Sequence, residues 1–262
     1  MLANYKIALL LSFLAGLATV LGGFLTFFVK RTNIKALSIG LGFSAGVMIF
    51  LSFTEILQNS NEMLIKFFPT YSQWLVFGGF ALGIMVAVLI DYFMPDHIEE
   101  DLFCGSEKCE HHHRIKRAGL LTALAVSIHN FPEGMTTFFV ATQNLTLGIS
   151  VAIAIALHNI PEGIAVALPI YHATGKKRLA IWYTFLSGIS EPIGALLGLI
   201  AIQYFLPQAA IGFLFASVAG IMVYISFDTL LPLSKEYGDG HYSVFGIMSG
   251  VFFIWISLLF LG

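Results

Sequence analysis

The chain reads as long, unbroken apolar runs separated by short polar punctuation. Eight such runs are apparent, at about 6–29, 36–57, 73–94, 118–141, 146–171, 179–205, 210–233 and 243–261. A helix that crosses a bilayer needs about 20 consecutive apolar residues, and more if tilted. A membrane barrel would instead alternate polar and apolar positions in segments of about ten. The runs here are continuously apolar, so the expected class is an all-α polytopic membrane protein with eight transmembrane helices. Ile7 to Val29 is too long for a signal-peptide core and is followed by Lys30 and Arg31, so it is taken as an uncleaved first span.

Composition narrows the class further. The 262 residues are 58% hydrophobic and 11% charged, against about 45–50% apolar and about 25% charged in soluble domains. A net charge of −2 offers no basic surface for nucleic acid. The positions of the basic residues say more than their number. Eleven of the thirteen Lys and Arg fall in the loops that follow odd-numbered spans, leaving only Lys6 and Lys66 on the other side. The positive-inside rule then places both termini outside, with residues 95–117 a cytosolic loop.

The chain also repeats itself. His129-Asn130-Phe131-Pro132-Glu133-Gly134 on span four recurs as His158-Asn159-Ile160-Pro161-Glu162-Gly163 on span five. Ala45-Gly46-x-Met48-x3-Ser52-Phe53 on span two matches Ala219-Gly220-x-Met222-x3-Ser226-Phe227 on span seven. Phe13-Leu14-Ala15-Gly16 aligns with Phe185-Leu186-Ser187-Gly188, which sets Thr19 opposite Glu191 and Gly22 opposite Gly194. Val76-Phe77-Gly78 resembles Val244-Phe245-Gly246. Each matched pair runs in opposite directions through the bilayer. The expected architecture is an inverted-repeat bundle of three helices, a central antiparallel pair and three helices, with a site near the midplane.

Six carboxylates fall inside the spans: Glu55, Asp91, Glu133, Glu162, Glu191 and Asp228. An acidic residue at a span centre costs roughly 2.5–3.5 kcal/mol on insertion scales. No Lys or Arg lies in a span core to neutralise Glu133, Glu162 and Glu191. A divalent cation answers that charge most directly. On a helix, His129 and Glu133 lie about 40° apart, with Asn130 about 60° to the other side of Glu133. The carboxylate then sits between imidazole and amide and can serve two adjacent metal positions. His158, Glu162 and Asn159 repeat the pattern. Pro132 and Pro161 withhold a hydrogen bond from the carbonyls of Ile128 and Leu157, so a kink is expected at each. Gly134 and Gly163 allow close backbone approach.

Together with Ser187-Gly188-x-Ser190-Glu191-Pro192-x-Gly194 and Phe227-Asp228-x-Leu230-Leu231-Pro232, the duplicated motif resembles the ZIP (Zrt/Irt-like) family of divalent-metal transporters, over essentially the whole chain. The resemblance implies uptake of Zn2+, with Fe2+, Mn2+ and Cd2+, across the bacterial inner membrane into the cytosol. It implies a binuclear site on spans four, five and six, and a homodimer. One metal position would use His129, Glu133, His158 and Glu162. The other would use Asn130, Glu133, Asn159, Glu162 and Glu191.

The ligand types agree with that reading, because imidazole, carboxylate and amide suit Zn2+, Fe2+ and Mn2+ better than a thiolate-selective ion. Glu55, near the outer end of span two, and Asp228, near the inner end of span seven, are pathway candidates. Asp91 reads as an interfacial cap. Cys104, Cys109, His111, His112 and His113 form a metal-capture segment in the cytosolic loop, outside the path. There is no HExxH and no GxSxG serine elbow, since the one GxSxG match, Gly42-Phe43-Ser44-Ala45-Gly46, falls inside the apolar run of span two, so neither an enzyme nor a catalytic cofactor is expected.

Overall fold

The computed structural model describes residues 2–30, 32–93, 107–204, 208–238 and 241–261. Among these there is no strand. The helices are α1 (Leu2–Leu25), α2 (Ile34–Leu51), α3 (Leu57–Ile65), α4 (Ser72–Phe93), α5 (Glu107–Gln143), α6 (Leu145–Thr174), α7 (Lys177–Tyr204), α8 (Gln208–Ile225), α9 (Leu231–Tyr237) and α10 (His241–Leu261). Two five-residue π turns, Ser52–Ile56 and Ser226–Leu230, splice α2 to α3 and α8 to α9 into continuous rods. Among the described residues eight rods result, and the chain is an all-α polytopic membrane protein.

Among the described residues, seven rods are long and apolar enough to cross a membrane. The eighth, α5, has ample length at 37 residues but is the least apolar of the long helices. Its first turns, residues 107–117, are polar, and these together with His129, Asn130 and Glu133 lower its hydropathy, whereas α6 carries the same motif in an otherwise apolar helix. The expected loop at 95–117 is correspondingly shorter than its sequence suggested, because α5 is already helical from Glu107. The second rod likewise runs on to Ile65, past the expected end near residue 57. Its polar last turns are held by Ser60 Oγ, which donates to the Gly212 carbonyl at 2.7 Å.

Local signals explain the sharp ends. Asn33 Oδ1 accepts from the Ala36 amide at 3.1 Å and opens α2, and Asn144 Oδ1 accepts from Leu147 at 3.2 Å and opens α6. Gly175, at φ 69°, ends α6 in the left-handed conformation that a glycine adopts without strain. Pro132, Pro161, Pro169 and Pro192 all lie inside helices that continue through them.

The halves are related as the repeats require. α6 packs along α1 as α5 packs along α7, and α2 packs along α10 as α8 packs along α4. Ser52 Oγ donates to Met48 O at 2.7 Å, and Ser226 Oγ donates to Met222 O at 2.8 Å, so the two π turns open with the same bond. Close backbone contacts repeat too. A Cβ at Gly134 would collide with the Glu191 carbonyl, and one at Gly163 with the Thr19 carbonyl.

These contacts also correct one register. Gly79 lies against Phe213, and Gly246 against Ile39, its counterpart in the other half. Gly79, not Gly78, is therefore the mate of Gly246. A Cβ on Gly78 would meet nothing within 4 Å. The match of Val76-Phe77-Gly78 with Val244-Phe245-Gly246 is one residue out of step because two adjacent glycines leave the sequence alignment degenerate.

Candidate metal centre

Four helices build the centre. α5 and α6 run antiparallel in contact and bring the two copies of the repeated motif together, while α1 and α7 close the sides. His129, Asn130, Asn159, Glu162 and Glu191 have no solvent exposure, and Glu133 and His158 retain 4% and 5%.

The imidazoles and carboxylates pair across the helices. His129 Nε2 lies 2.7 Å from Glu162 Oε1, and His158 Nε2 lies 3.1 Å from Glu133 Oε2. The spacing along one helix had placed each carboxylate beside the imidazole one turn away. Each hydrogen-bond partner instead comes from the other copy of the motif. His129 Nδ1 lies 3.1 Å from the Ala125 carbonyl, which has no proton to give, so Nδ1 carries one. Nε2 then faces a carboxylate oxygen, and a contact at 2.7 Å requires one further proton between them.

The amides are held by their nitrogens. Asn130 Nδ2 donates to the Ser187 carbonyl at 3.1 Å. Asn159 Nδ2 donates to the Ala15 carbonyl at 2.9 Å and to Glu191 Oε2 at 2.8 Å. Anchoring the nitrogens commits the oxygens to other duties. Asn130 Oδ1, Asn159 Oδ1, Glu162 Oε2 and Glu191 Oε1 are all buried and accept no hydrogen bond. An unsatisfied buried polar atom costs about 1–3 kcal/mol, more when charged. Four such oxygens on neighbouring helices form a donor set suited to a cation, since a cation is what an acceptor without a hydrogen-bond donor can bind. Among the described residues, no three His, Cys, Asp or Glu side chains already stand as a closed metal cage. The acids and imidazoles rest as two hydrogen-bonded pairs.

A cavity of about 250 Å3 leads to this centre. Glu133 and His158 line one part of it, Glu55 and Asn59 another, with Thr136 and Ile155 also in its wall. Asn59 Nδ2 donates to Glu55 Oε1 at 3.2 Å, one turn along the second rod. Glu55 therefore shares a continuous space with Glu133 and His158, and it sits in the π turn that departs from regular helix there. Sequence reasoning did not single out Asn59 or Thr136. The usable signal was their spacing, four residues after Glu55 and three after Glu133.

Asp228 is exposed in the other π turn and lines no part of that cavity. Four residues before it, Tyr224 approaches Asp91 Oδ2 at 3.5 Å. Asp91 is tied by its carboxylate to Arg117 at 3.0 Å, and the same guanidinium donates to the Asp91 carbonyl at 2.9 Å. These two contacts from one guanidinium nitrogen join the end of α4 to the early part of α5, as suits a residue that caps a span. Cys104 lies outside the described residues. Cys109, His111, His112 and His113 lie on the first turns of α5, with side chains outside the description.

Comparison with known proteins agrees with the reading of the motifs. A family model described as "ZIP Zinc transporter" matches residues 94–257. The zinc transporter ZupT of Akkermansia muciniphila is 47% identical over 261 residues, covering 97% of each chain. That of Nitratidesulfovibrio vulgaris is 46% identical over 98% of this chain and 97% of its own. That of Clostridium perfringens is 42% identical over 98% and 96%.

Proposed function

The chain belongs to the ZIP zinc transporter family, and from that premise we propose that it carries Zn2+, and also Fe2+, Mn2+ and Cd2+, across the bacterial inner membrane into the cytosol through a binuclear centre on α5, α6 and α7. The observation that carries the proposal is the crossed pair of imidazole–carboxylate contacts beside four buried oxygens with no donor. A family of transporters uses such a site to pass an ion on, not to transform a substrate.

The hydrated ion enters from outside through the cavity that joins Glu55 to Glu133 and His158. Glu55 concentrates cations at its mouth. At the centre the ion takes the place of the proton held between imidazole and carboxylate, so loading one position with His129, Glu133, His158 and Glu162 releases protons. Mixed nitrogen and oxygen ligands at that position suit Zn2+. The second position draws on Asn130, Asn159, Glu191 and the remaining oxygens of Glu133 and Glu162. Neutral amide ligands bind less tightly than a closed set of thiolates, which lets the ion leave. Asp228, on the cytosolic side, receives it.

Two units move relative to each other. α1, α5, α6 and α7 form one mutually packed group that holds all the central ligands, and the rods of α2–α4 and α8–α10 flank it. Inverted repeats permit such a group to rock between an outward and an inward setting.

Metal flux into proteoliposomes tests the assignment. Wild-type protein should give saturable Zn2+ uptake, and Glu133→Ala, Glu162→Ala and Glu191→Ala should each reduce it by at least tenfold. Normal uptake by all three variants would remove the site.

A further inference from the structure

Thr19 of α1 has no solvent exposure, and its hydroxyl has no hydrogen-bond partner. A threonine inside a helix ordinarily donates to the carbonyl three or four residues back. Thr122 does so to Ala118, Thr136 to Pro132 and Thr184 to Ala180. Among the buried helical threonines, Thr137 of α5 shares the unmade bond with Thr19. Thr19 leaves that bond unmade in a fully buried place.

Its backbone and Cβ contacts locate the residue. The Thr19 carbonyl lies against Gly163, the residue after Glu162. Its Cβ faces Gly188, at 3.5 Å from where a Cβ on that glycine would stand. Gly188 follows Ser187, whose carbonyl holds the Asn130 amide. Thr19 is thus flanked by the neighbours of Glu162 on one side and of the Asn130 anchor on the other.

The pseudo-twofold relation gives the same place independently. Gly134 lies against the Glu191 carbonyl as Gly163 lies against that of Thr19. Asn159 donates to a backbone carbonyl of α1, Ala15, as Asn130 donates to one of α7, Ser187. Glu191 completes the first arrangement by contacting Asn159 at 2.8 Å. By the pseudo-twofold relation Thr19 stands where the mate of Glu191 belongs, the position that corresponds to a partner of Asn130, whose Oδ1 is likewise without a partner.

We propose that Thr19 supplies a neutral hydroxyl ligand to the oxygen-rich metal position and so extends the centre onto α1. The inference rests on the metal-site reading above and adds to it a fourth helix and a determinant of selectivity. With Asn130 Oδ1, Asn159 Oδ1, Glu191 Oε1 and the remaining oxygens of Glu133 and Glu162, the hydroxyl completes a set made of oxygen alone. Such a set suits Mn2+ and other hard divalent ions, whereas the imidazole-containing position suits Zn2+. Losing the hydroxyl should therefore weaken Mn2+ transport more than Zn2+ transport.

The test is uptake of Mn2+ and Zn2+ into proteoliposomes by wild-type protein, Thr19→Val, Thr19→Ser and Thr19→Asp. The valine keeps the shape without the hydroxyl, the serine keeps the hydroxyl, and the aspartate copies the acid of the other half. Thr19→Val should raise the half-saturating Mn2+ concentration by roughly five- to tenfold and that of Zn2+ by less than about twofold. Thr19→Ser should behave as wild type, and Thr19→Asp should bind Mn2+ more tightly. Unchanged Mn2+ uptake by Thr19→Val, equal effects of valine and serine on both metals, or an aspartate variant no tighter than wild type would each overturn the proposal. Glu133→Gln and Glu162→Gln are measured alongside. Normal uptake by those two would instead remove the metal-site reading itself, whatever Thr19 does.

Discussion

His129 on α5 bonds to Glu162 on α6, at 2.7 Å, and not to Glu133 one turn along its own helix. The reciprocal contact, His158 to Glu133 at 3.1 Å, makes each copy of the repeated motif complete the other. The centre therefore exists only while α5 and α6 stay in register, and neither helix carries a working half of it.

That crossing has an energetic signature. In metal-free protein, His129→Ala strands a buried carboxylate on the opposite helix, at a cost of about 3–5 kcal/mol. A double-mutant cycle in detergent should give a coupling of about 1–3 kcal/mol between His129 and Glu162. The coupling between His129 and Glu133 should be smaller. Thermal unfolding of the four proteins in each cycle measures both, and the reverse order would contradict the crossed pairing.

The glycine register predicts a contrast between neighbours. Gly79→Ala places a methyl group 2.8 Å from the Ala216 Cβ and 2.9 Å from the Phe213 carbonyl, which should destabilise by about 1–3 kcal/mol. Gly78→Ala meets nothing within 4 Å and should stabilise the helix by roughly 0.5–1 kcal/mol. Denaturation midpoints of the two variants decide it. Equal effects would return the repeat to the alignment that begins from Gly78.

The proposed outward opening of the cavity predicts sided access. Ala154 lies in its wall between α5, α6 and the second rod. In a background with Cys104→Ser and Cys109→Ser, an Ala154→Cys variant should react with a membrane-impermeant thiol reagent added outside. The modification should block Zn2+ uptake. Labelling only from the cytosolic side would reverse the proposed direction of the path.

On the proposed path Glu55 captures the ion at the mouth of that cavity, apart from the centre. Glu55→Gln should raise the half-saturating Zn2+ concentration by about two- to fivefold with little change in maximal flux, the pattern of lost capture. Loss of maximal flux with unaltered half-saturation would give Glu55 a different role.

Much of this protein was readable along the chain because a membrane restricts what a helix may contain. Apolar runs had to be helices, since no lipid-exposed backbone can go unbonded. Acids in those runs had to have a purpose, since an unneeded one is expensive. The repeat showed itself because His129-Asn130-x-Pro132-Glu133-Gly134 and its copy keep the same residues at the same spacing. Helix ends were less visible. The polar first turns of α5 and last turns of α3 form helix without apolar periodicity, so they read as loop.

The sequence by itself determined the spans, the inverted repeat and the candidate ligands, because burial in lipid and helical spacing act on local composition. Only the tertiary structure decided which imidazole meets which carboxylate, which glycine of an adjacent pair touches the facing backbone, and which oxygens remain without a donor. Those depend on how helices distant in sequence cross, and a crossing is settled by contacts between backbones, such as Gly134 on Glu191 and Gly163 on Thr19. Thr19 shows the difference most clearly. Along the chain it is the residue where the repeat lacks its acid, and in the folded protein it is a fully buried hydroxyl with no partner.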